Sequence, residues 1–210
     1  MKIILKSKKD NYICTLAIGK KYKQNWEKYS KSNWLRYCKK HNIGLIVFFE
    51  NLINKDNKNW KKPNWQKFLI GSEIKKNKLK VKNICFLDID ILINYASAPN
   101  IFDLHNINKI TVVSQRNIYG MNLDFLHKQI SFNRNLYYSK KYPLDSAIFM
   151  SPKQIFEYHK FKISRIKDDY FCTGLYIYNL NKFDDFFRSI FFKYSKEFHT
   201  LTLGEEPVLN

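Results

Sequence analysis

Ten consecutive residues, Ile84-Cys85-Phe86-Leu87-Asp88-Ile89-Asp90-Ile91-Leu92-Ile93, are apolar except for two aspartates. A run so apolar and so short predicts a central strand buried on both faces. Side chains alternate along a strand, so Asp88 and Asp90 would share one face, with Ile89 opposite. Burying an ionised carboxylate without a partner costs several kcal/mol. Two on one face also repel, so a cation is expected between or just beyond them. A divalent metal carrying a phosphorylated ligand meets that requirement.

The surrounding chain sets the frame for this strand. Its 210 residues suit one α/β domain spanning 1–210, and 45% hydrophobic with 17% aromatic content argues for a folded protein. The formal charge of +19 raises the question of nucleic acid. Only Arg36, Arg116, Arg134, Arg165 and Arg188 are arginines, however, and the lysines are spread along the chain. Base-reading surfaces favour arginine for its fork geometry, so no specific nucleic-acid partner is expected. A solvated basic surface is the plain reading, with docking to anionic lipid or polysaccharide as the alternative. Cys14, Cys38, Cys85 and Cys172 show neither zinc-ligand nor disulfide spacing. The segment Met1–Lys6 is too short in apolar residues for a signal peptide, and no stretch reaches the ~20 apolar residues of a membrane span. A cytoplasmic location, with at most peripheral contact at an anionic membrane, is the expectation.

Periodicity predicts a strand over Tyr12–Ile18, a helix over Gln24–Lys40 with Trp26, Tyr29, Asn33/Trp34 and Tyr37/Cys38 as its core face, and a strand over Ile43–Phe49. That β-α-β opening predicts a parallel pair. Glu50–Lys62 reads as a polar loop, and Pro63 as the first residue of another helix. Ile110–Ser114 and Tyr170–Leu180 read as further strands. The stripe Phe183, Phe186, Phe187, Ile190, Phe191, Tyr194 and Phe198 reads as a helix with a core face. Residues 116–167 carry weak periodicity and are expected to form loops and short elements in a variable region.

Open α/β sheets bind ligands beyond the carboxyl ends of their strands, and Asp88 and Asp90 fall late in theirs. Their oxygens suit Mg²⁺ or Mn²⁺, hard cations that keep several waters and take other ligands from phosphates. The bland alternative is a pair of strand-end aspartates capping a helix or pairing with lysines.

In this setting the chain resembles the GT-A type glycosyltransferases that use nucleotide-diphosphate sugars, especially the glycogenin-like and lipopolysaccharide-galactosyltransferase-like group. The likeness runs in the family's order. Cys14-Thr15-Leu16-Ala17-Ile18-Gly19 with Tyr22 is similar to the nucleotide-base and ribose loop. Pro63-Asn64-Trp65-Gln66-Lys67-Phe68 is similar to the helix whose basic residue approaches the donor phosphates. Phe86-Leu87-Asp88-Ile89-Asp90 matches the D-x-D strand, and Ala98-Pro99-Asn100-Ile101-Phe102-Asp103 the segment leading away from it. Tyr170–Asn179, with Thr173-Gly174, resembles the strand that cups the donor sugar. Glu205-Glu206-Pro207-Val208-Leu209-Asn210 resembles the acidic motif facing the reactive centre.

The resemblance implies a mixed, mainly parallel, Rossmann-like sheet flanked by helices. It also implies metal-dependent transfer of a hexose from a nucleotide-diphosphate sugar, UDP-linked in the main expectation, to a carbohydrate or lipid-linked acceptor. Asp90 would bind Mn²⁺ or Mg²⁺ directly, and Asp88 would share the metal or hold the ribose. Ala17, Gly19, Tyr22, Lys67, Asp88, Thr173 and Gly174 would contact the donor, and Glu205 or Glu206 would act at the anomeric centre. For Lys67 a solvated helix lysine is the alternative, and for Glu205-Glu206 a pair of helix-start acids. Asp168 and Asp169 rank below them. The chain departs from the family at Cys172, where Asn is common, and at Glu205-Glu206, where Asp-Gln is usual. It also stops at Asn210, inside the last motif and without a downstream histidine, as His199 lies upstream. The expectation is a fragment, or a metal site completed by water. Two rivals are a nucleotidyltransferase, for which only Gly19-Lys20-Lys21 stands in for a phosphate loop, and a non-catalytic basic module binding nucleic acid or anionic glycan.

Overall fold

A computed structural model describes residues 1–114, 156–157, 160–161, 171–194 and 205–209; of Glu206 and Pro207 it describes the backbone alone. The expectations for the 116–167 region as a whole, for Asp168 and Asp169, and for Phe198, His199 and Asn210 lie outside the described residues. The chain divides into two compact units, Met1–Val112 with Gly174–His199, and Val113–Thr173 with Thr200–Asn210.

Among the described residues six strands form one mixed sheet: β1 (Lys2–Leu5), β2 (Asn11–Leu16), β3 (Gly44–Phe48), β4 (Asn83–Leu87), β5 (Thr111–Ser114) and β6 (Phe171–Asn179), in the order β1-β3-β2-β4-β6-β5. The α/β class and mixed sheet expected from the sequence are present, with two parallel and two antiparallel pairings among β1, β2, β3, β4 and β6 in place of a mainly parallel arrangement. The parallel part is its centre: β2 lies parallel to β3, Cys14 opposite Ile46, and parallel to β4, Cys14 opposite Phe86. Outside that centre β1 runs antiparallel to β3, and β6 antiparallel to β4 with Leu87 opposite Leu175. The strand β1 carries no expectation from sequence, because four residues at a sheet edge hold too little alternation to read.

Strand alternation sorts the core into two layers. On one face Phe86 stacks on Tyr176 at 5.2 Å, Tyr176 on Phe187 at 5.2 Å, and Phe68 on Phe187 at 5.9 Å. Phe187 belongs to the helix α5 (Leu180–Lys193), whose buried stripe also includes Leu180, Asp184, Ile190 and Phe191. Phe186 is 44% exposed and stands outside that stripe, so the expected face is narrower than its aromatic content suggested. On the other face Ile13, Ala17, Cys85, Leu87 and Ile177 pack with Trp26, Trp34, Tyr37 and Cys38. Those four lie on one continuous helical stretch: α1 (Lys20–Asn25), a π-helical turn (Trp26–Ser30) and α2 (Lys31–His41).

Polar groups tie these layers at their edges. At the amino end of β4, Asn83 donates to Asn11 and accepts from Asn179, both at 3.0 Å, linking β2, β4 and β6. The Asn179 side chain also caps α5 by accepting from Lys182 N. The stretch expected as a polar loop is tied to the helix that follows it. Gln66, buried in Pro63–Gln66, accepts from Leu52 N at 2.7 Å and donates to Lys61 O at 2.8 Å. Lys61 donates to Phe191 O in the last turn of α5, where a cation is favoured. Burial holds its ammonium below the usual lysine range.

Pro63 opens the helix α3 (Pro63–Gln66), and further on two helices meet where Gly71, in α4 (Ile70–Lys76), faces α5. A Cβ at Gly71 would sit 2.3 Å from Asp184 Oδ1 and 2.9 Å from Leu180 Cδ1. Asp184 cannot retreat freely, since it pairs with Lys75 at 3.0 Å and accepts from Ser72. Gly71→Ala should therefore lower the unfolding free energy by about 1–3 kcal/mol in urea titration, although alanine is the better helix former. The thiols make a second check. Cys14, Cys38 and Cys85 are buried, and burial lifts all three, Cys38 to about 12. With so little thiolate at neutral pH, none of the three should react with DTNB until the protein is unfolded.

Candidate functional site

Strand β4 ends at Leu87, before either aspartate. This corrects the ten-residue strand expected from the sequence. The Asp88 backbone still extends the ladder by one bond, its N donating to Gly174 O at 2.8 Å, and the chain then turns at Ile89-Asp90. Asp88 is half-buried and Asp90 exposed. The desolvation cost inferred for two buried carboxylates is thus largely relieved by the strand's early end. The apolar alternation continues for a different reason. Ile89, Ile91 and Ile93 pack against the core cluster beneath the helical face, outside any strand.

What holds this extended stretch is a row of side chains on the helix. Ser30 Oγ donates to Ile89 O, and Trp34 Nε1 donates to Ile91 O at 2.8 Å. Asn33 makes a two-way pair with Ile93, donating to its carbonyl at 2.8 Å and accepting from its N–H at 2.9 Å. Lys40 Nζ donates to Tyr95 O and Ala96 O, and Arg36 to the Tyr95 hydroxyl. Tyr37 OH donates to Pro99 O at 2.7 Å and accepts from Ile101 N at 2.8 Å. Residues 30, 33, 34, 37 and 40 follow the three- and four-residue spacing of one helix face. Asn33, Trp34 and Tyr37 stood in the predicted core stripe, but as packing residues; their role as backbone partners was missed. The signal available in that stripe was Asn33; Ser30 stood outside it, yet it is 1% exposed at the end of the π-helical turn, whereas Tyr29, expected on the core face, is 57% exposed.

Other expected site residues gather at the same sheet edge. Ala17 is buried, and its N–H donates to Phe48 O at 2.8 Å beyond the end of β2. Gly19 then adopts φ 96°, ψ 153°, a conformation open to glycine, and its carbonyl accepts from Lys23 N in the first turn of α1. The nearest atom to a Cβ there would be 3.9 Å away, so backbone conformation, not space, demands glycine. Tyr22 is 57% exposed, so it is not a core aromatic. Lys67, in the 3₁₀ turn Lys67–Leu69, is 3% exposed, with Nζ 4.9 Å from the Phe86 ring centroid. The solvated-lysine alternative is therefore excluded; this cation lies against the residue two before Asp88.

Thr173, Glu205 and Glu206 belong to the second unit. Thr173 Oγ1 donates to Glu205 Oε1 at 2.8 Å, and Glu205 is 4% exposed. Glu205 immediately precedes the short helix α6 (Glu206–Leu209), and the side chain of Glu206 lies outside the described residues. No group of three or more His, Cys, Asp or Glu suited to a metal occurs among the described residues.

No family model matches the chain, and neither does any curated protein. Among solved structures, the crystal structure of a glycosyltransferase involved in the glycosylation of the major capsid of PBCV-1 aligns with 85% of this chain, at 9% identity and a TM-score of 0.44. The alignment spans 64% of that protein's length. A superposition this distant assigns no residue a role.

The row of side chains on the helix has a direct test. Asn33→Ala removes both bonds to Ile93 and should cost about 1–3 kcal/mol. Amide exchange at Ile93 should accelerate in step. Asn33→Asp keeps the acceptor for Ile93 N while losing the donor, so exchange should fall between the two; equal exchange in all three proteins would contradict the arrangement.

Proposed function

We propose that the chain is a metal-dependent glycosyltransferase moving a hexose from a UDP-sugar to a carbohydrate or lipid-linked acceptor. One observation carries the reading: the turn bearing Asp88 and Asp90 follows the carboxyl end of β4, hydrogen-bonded to Gly174 and next to the strand that leads into Gly19. That edge is where open α/β sheets bind nucleotides. The left-handed Gly19 backbone leaves room for close approach of a ligand.

The donor set fits a hard divalent cation. Asp88 and Asp90 offer two carboxylates on a solvent-accessible turn. Mg²⁺ and Mn²⁺ are commonly held by one or two carboxylates, with water and substrate phosphate completing the shell. When bound, such a metal stabilises negative charge developing on a departing diphosphate. Asp90 would ligate it, and Asp88 would share it or orient the ribose. Lys67 is the candidate second cation for the phosphates. The carboxylate chemistry assigned to Glu205 and Glu206 rests on the resemblance to the family's last motif. Peripheral contact with an anionic membrane stays part of the proposal; no helix among the described residues is long and apolar enough to cross one.

Calorimetry tests this directly. The native protein should bind a UDP-sugar in a Mn²⁺-dependent manner. Asp88→Asn with Asp90→Asn should abolish the Mn²⁺-dependent part while leaving the melting temperature within a few degrees, since neither side chain is fully buried. Undiminished binding by the double variant would sink the assignment. Salt-sensitive DNA binding with no response to UDP or Mn²⁺ would favour the basic-module alternative.

A further inference from the structure

Within the first unit a cavity of about 270 Å³ lies between the sheet and the stretch that follows the aspartate turn. Ile13, Cys85, Leu87 and Leu175 line it from the sheet, Tyr37 from the helix, and the Ile91–Leu104 stretch supplies the rest. Protein interiors rarely leave voids larger than a water molecule. An engineered apolar void of roughly 150 Å³ already stays dry and binds benzene. This one is larger, so it has the dimensions of a ligand site.

The chemistry of its wall narrows the ligand. Tyr37 contributes the one hydroxyl among the lining side chains, and that hydroxyl is occupied, donating to Pro99 O and accepting from Ile101 N. Cys85 is buried, and burial keeps its thiol protonated. A ligand seated here would find no polar side chain awaiting a partner, and a polar ligand would lose its hydrogen bonds to water uncompensated. Two lining residues, Leu92 and Leu104, are 63% and 68% exposed, so the wall continues outward as an apolar lip. A compact ligand needs no such lip, whereas a chain leaving the cavity would lie along it. Scaled from the roughly 150 Å³ void that takes the six carbons of benzene, about 270 Å³ holds on the order of ten carbons. Two cations of α2 are seated on the stretch that walls the cavity, Arg36 on the Tyr95 hydroxyl and Lys40 on Tyr95 O and Ala96 O, in a chain of net charge +19.

We propose that this cavity is a binding site for the hydrocarbon chain of an anionic amphiphile, with the chain inside and the headgroup at the solvent edge. The inference goes beyond sugar transfer and does not depend on it. Its wall shares Leu87 and Ile91 with the segment that holds Asp88 and Asp90, so occupancy would be felt next to the aspartate turn.

The test is calorimetric titration of the full chain with monomeric n-alkyl carboxylates from hexanoate to tetradecanoate, without metal or nucleotide. A negative result for UDP-sugar binding therefore leaves this experiment unaffected. Affinity should rise about fourfold per methylene and level off near ten carbons, once the cavity is full. Decyltrimethylammonium should bind at least about threefold more weakly than decanoate, given the positive surface. Ala98→Phe and Leu175→Phe fill the space and should each weaken decanoate binding about tenfold or more. If either fails to fold, Leu104→Asp alters the exposed lip and should weaken it about fivefold. No decanoate binding, affinity rising without a plateau, or binding that survives every folded variant would overturn the proposal.

Discussion

Every backbone N–H and C=O that leaves a sheet must find another partner or water. Between Ile89 and Ile101 local turn bonds, such as Ile91 N to Asp88 O and Ala98 N to Asn94 O, supply some partners, and one helix supplies others. Ser30, Asn33, Trp34, Tyr37 and Lys40 bond to the carbonyls or N–H groups of this stretch. Backbone hydrogen bonds left unmade in a half-buried setting are costly, so this row makes an extended, sheetless segment tenable. Its consequence is local: the aspartates leave the sheet at a fixed point, and the chain beyond them is anchored instead of loose.

The rest of the first unit is arranged to keep that helix and the sheet in register. Trp26, Trp34 and Tyr37 pack on the sheet face formed by Ile13, Cys85 and Leu87. The opposite face is closed by aromatic stacking around Phe187, and Gly71 lets α4 and α5 approach closely. One of the side chains that satisfy the Ile89–Ile101 backbone, Tyr37, also lines the apolar cavity. The two features are therefore physically linked, whatever ligand each receives.

Much of this was legible in the sequence. The centre of the sheet was, because β2, β3 and β4 are dense in buried β-branched and aromatic residues with turn residues between them. The end of β4 was not. Ile89, Ile91 and Ile93 keep the alternation of a strand, and the same alternation serves an extended segment packed under a helix; period alone does not tell whether the neighbour is a strand or a row of side chains. The polar members of the helix stripe were readable as residues but not as partners, since their acceptors lie about sixty positions away. Lys61 and Lys67 look solvated by composition, yet both are enclosed, one over α5's last turn and the other on Phe86. Gly19 was singled out as a site of close approach; its positive φ is a backbone reason for glycine that stands apart from any ligand.

The central claim is that the aspartate turn is a metal–nucleotide site at the carboxyl edge of the sheet. Paramagnetic broadening of backbone amide signals by Mn²⁺ in the presence of UDP measures this most directly. The account predicts selective loss of the Gly19, Asp88, Asp90 and Gly174 signals at substoichiometric Mn²⁺, with amides at the far end of the sheet, such as Asn11 and Asn179, unaffected. Uniform broadening over the basic surface, or broadening centred away from these four residues, would contradict it.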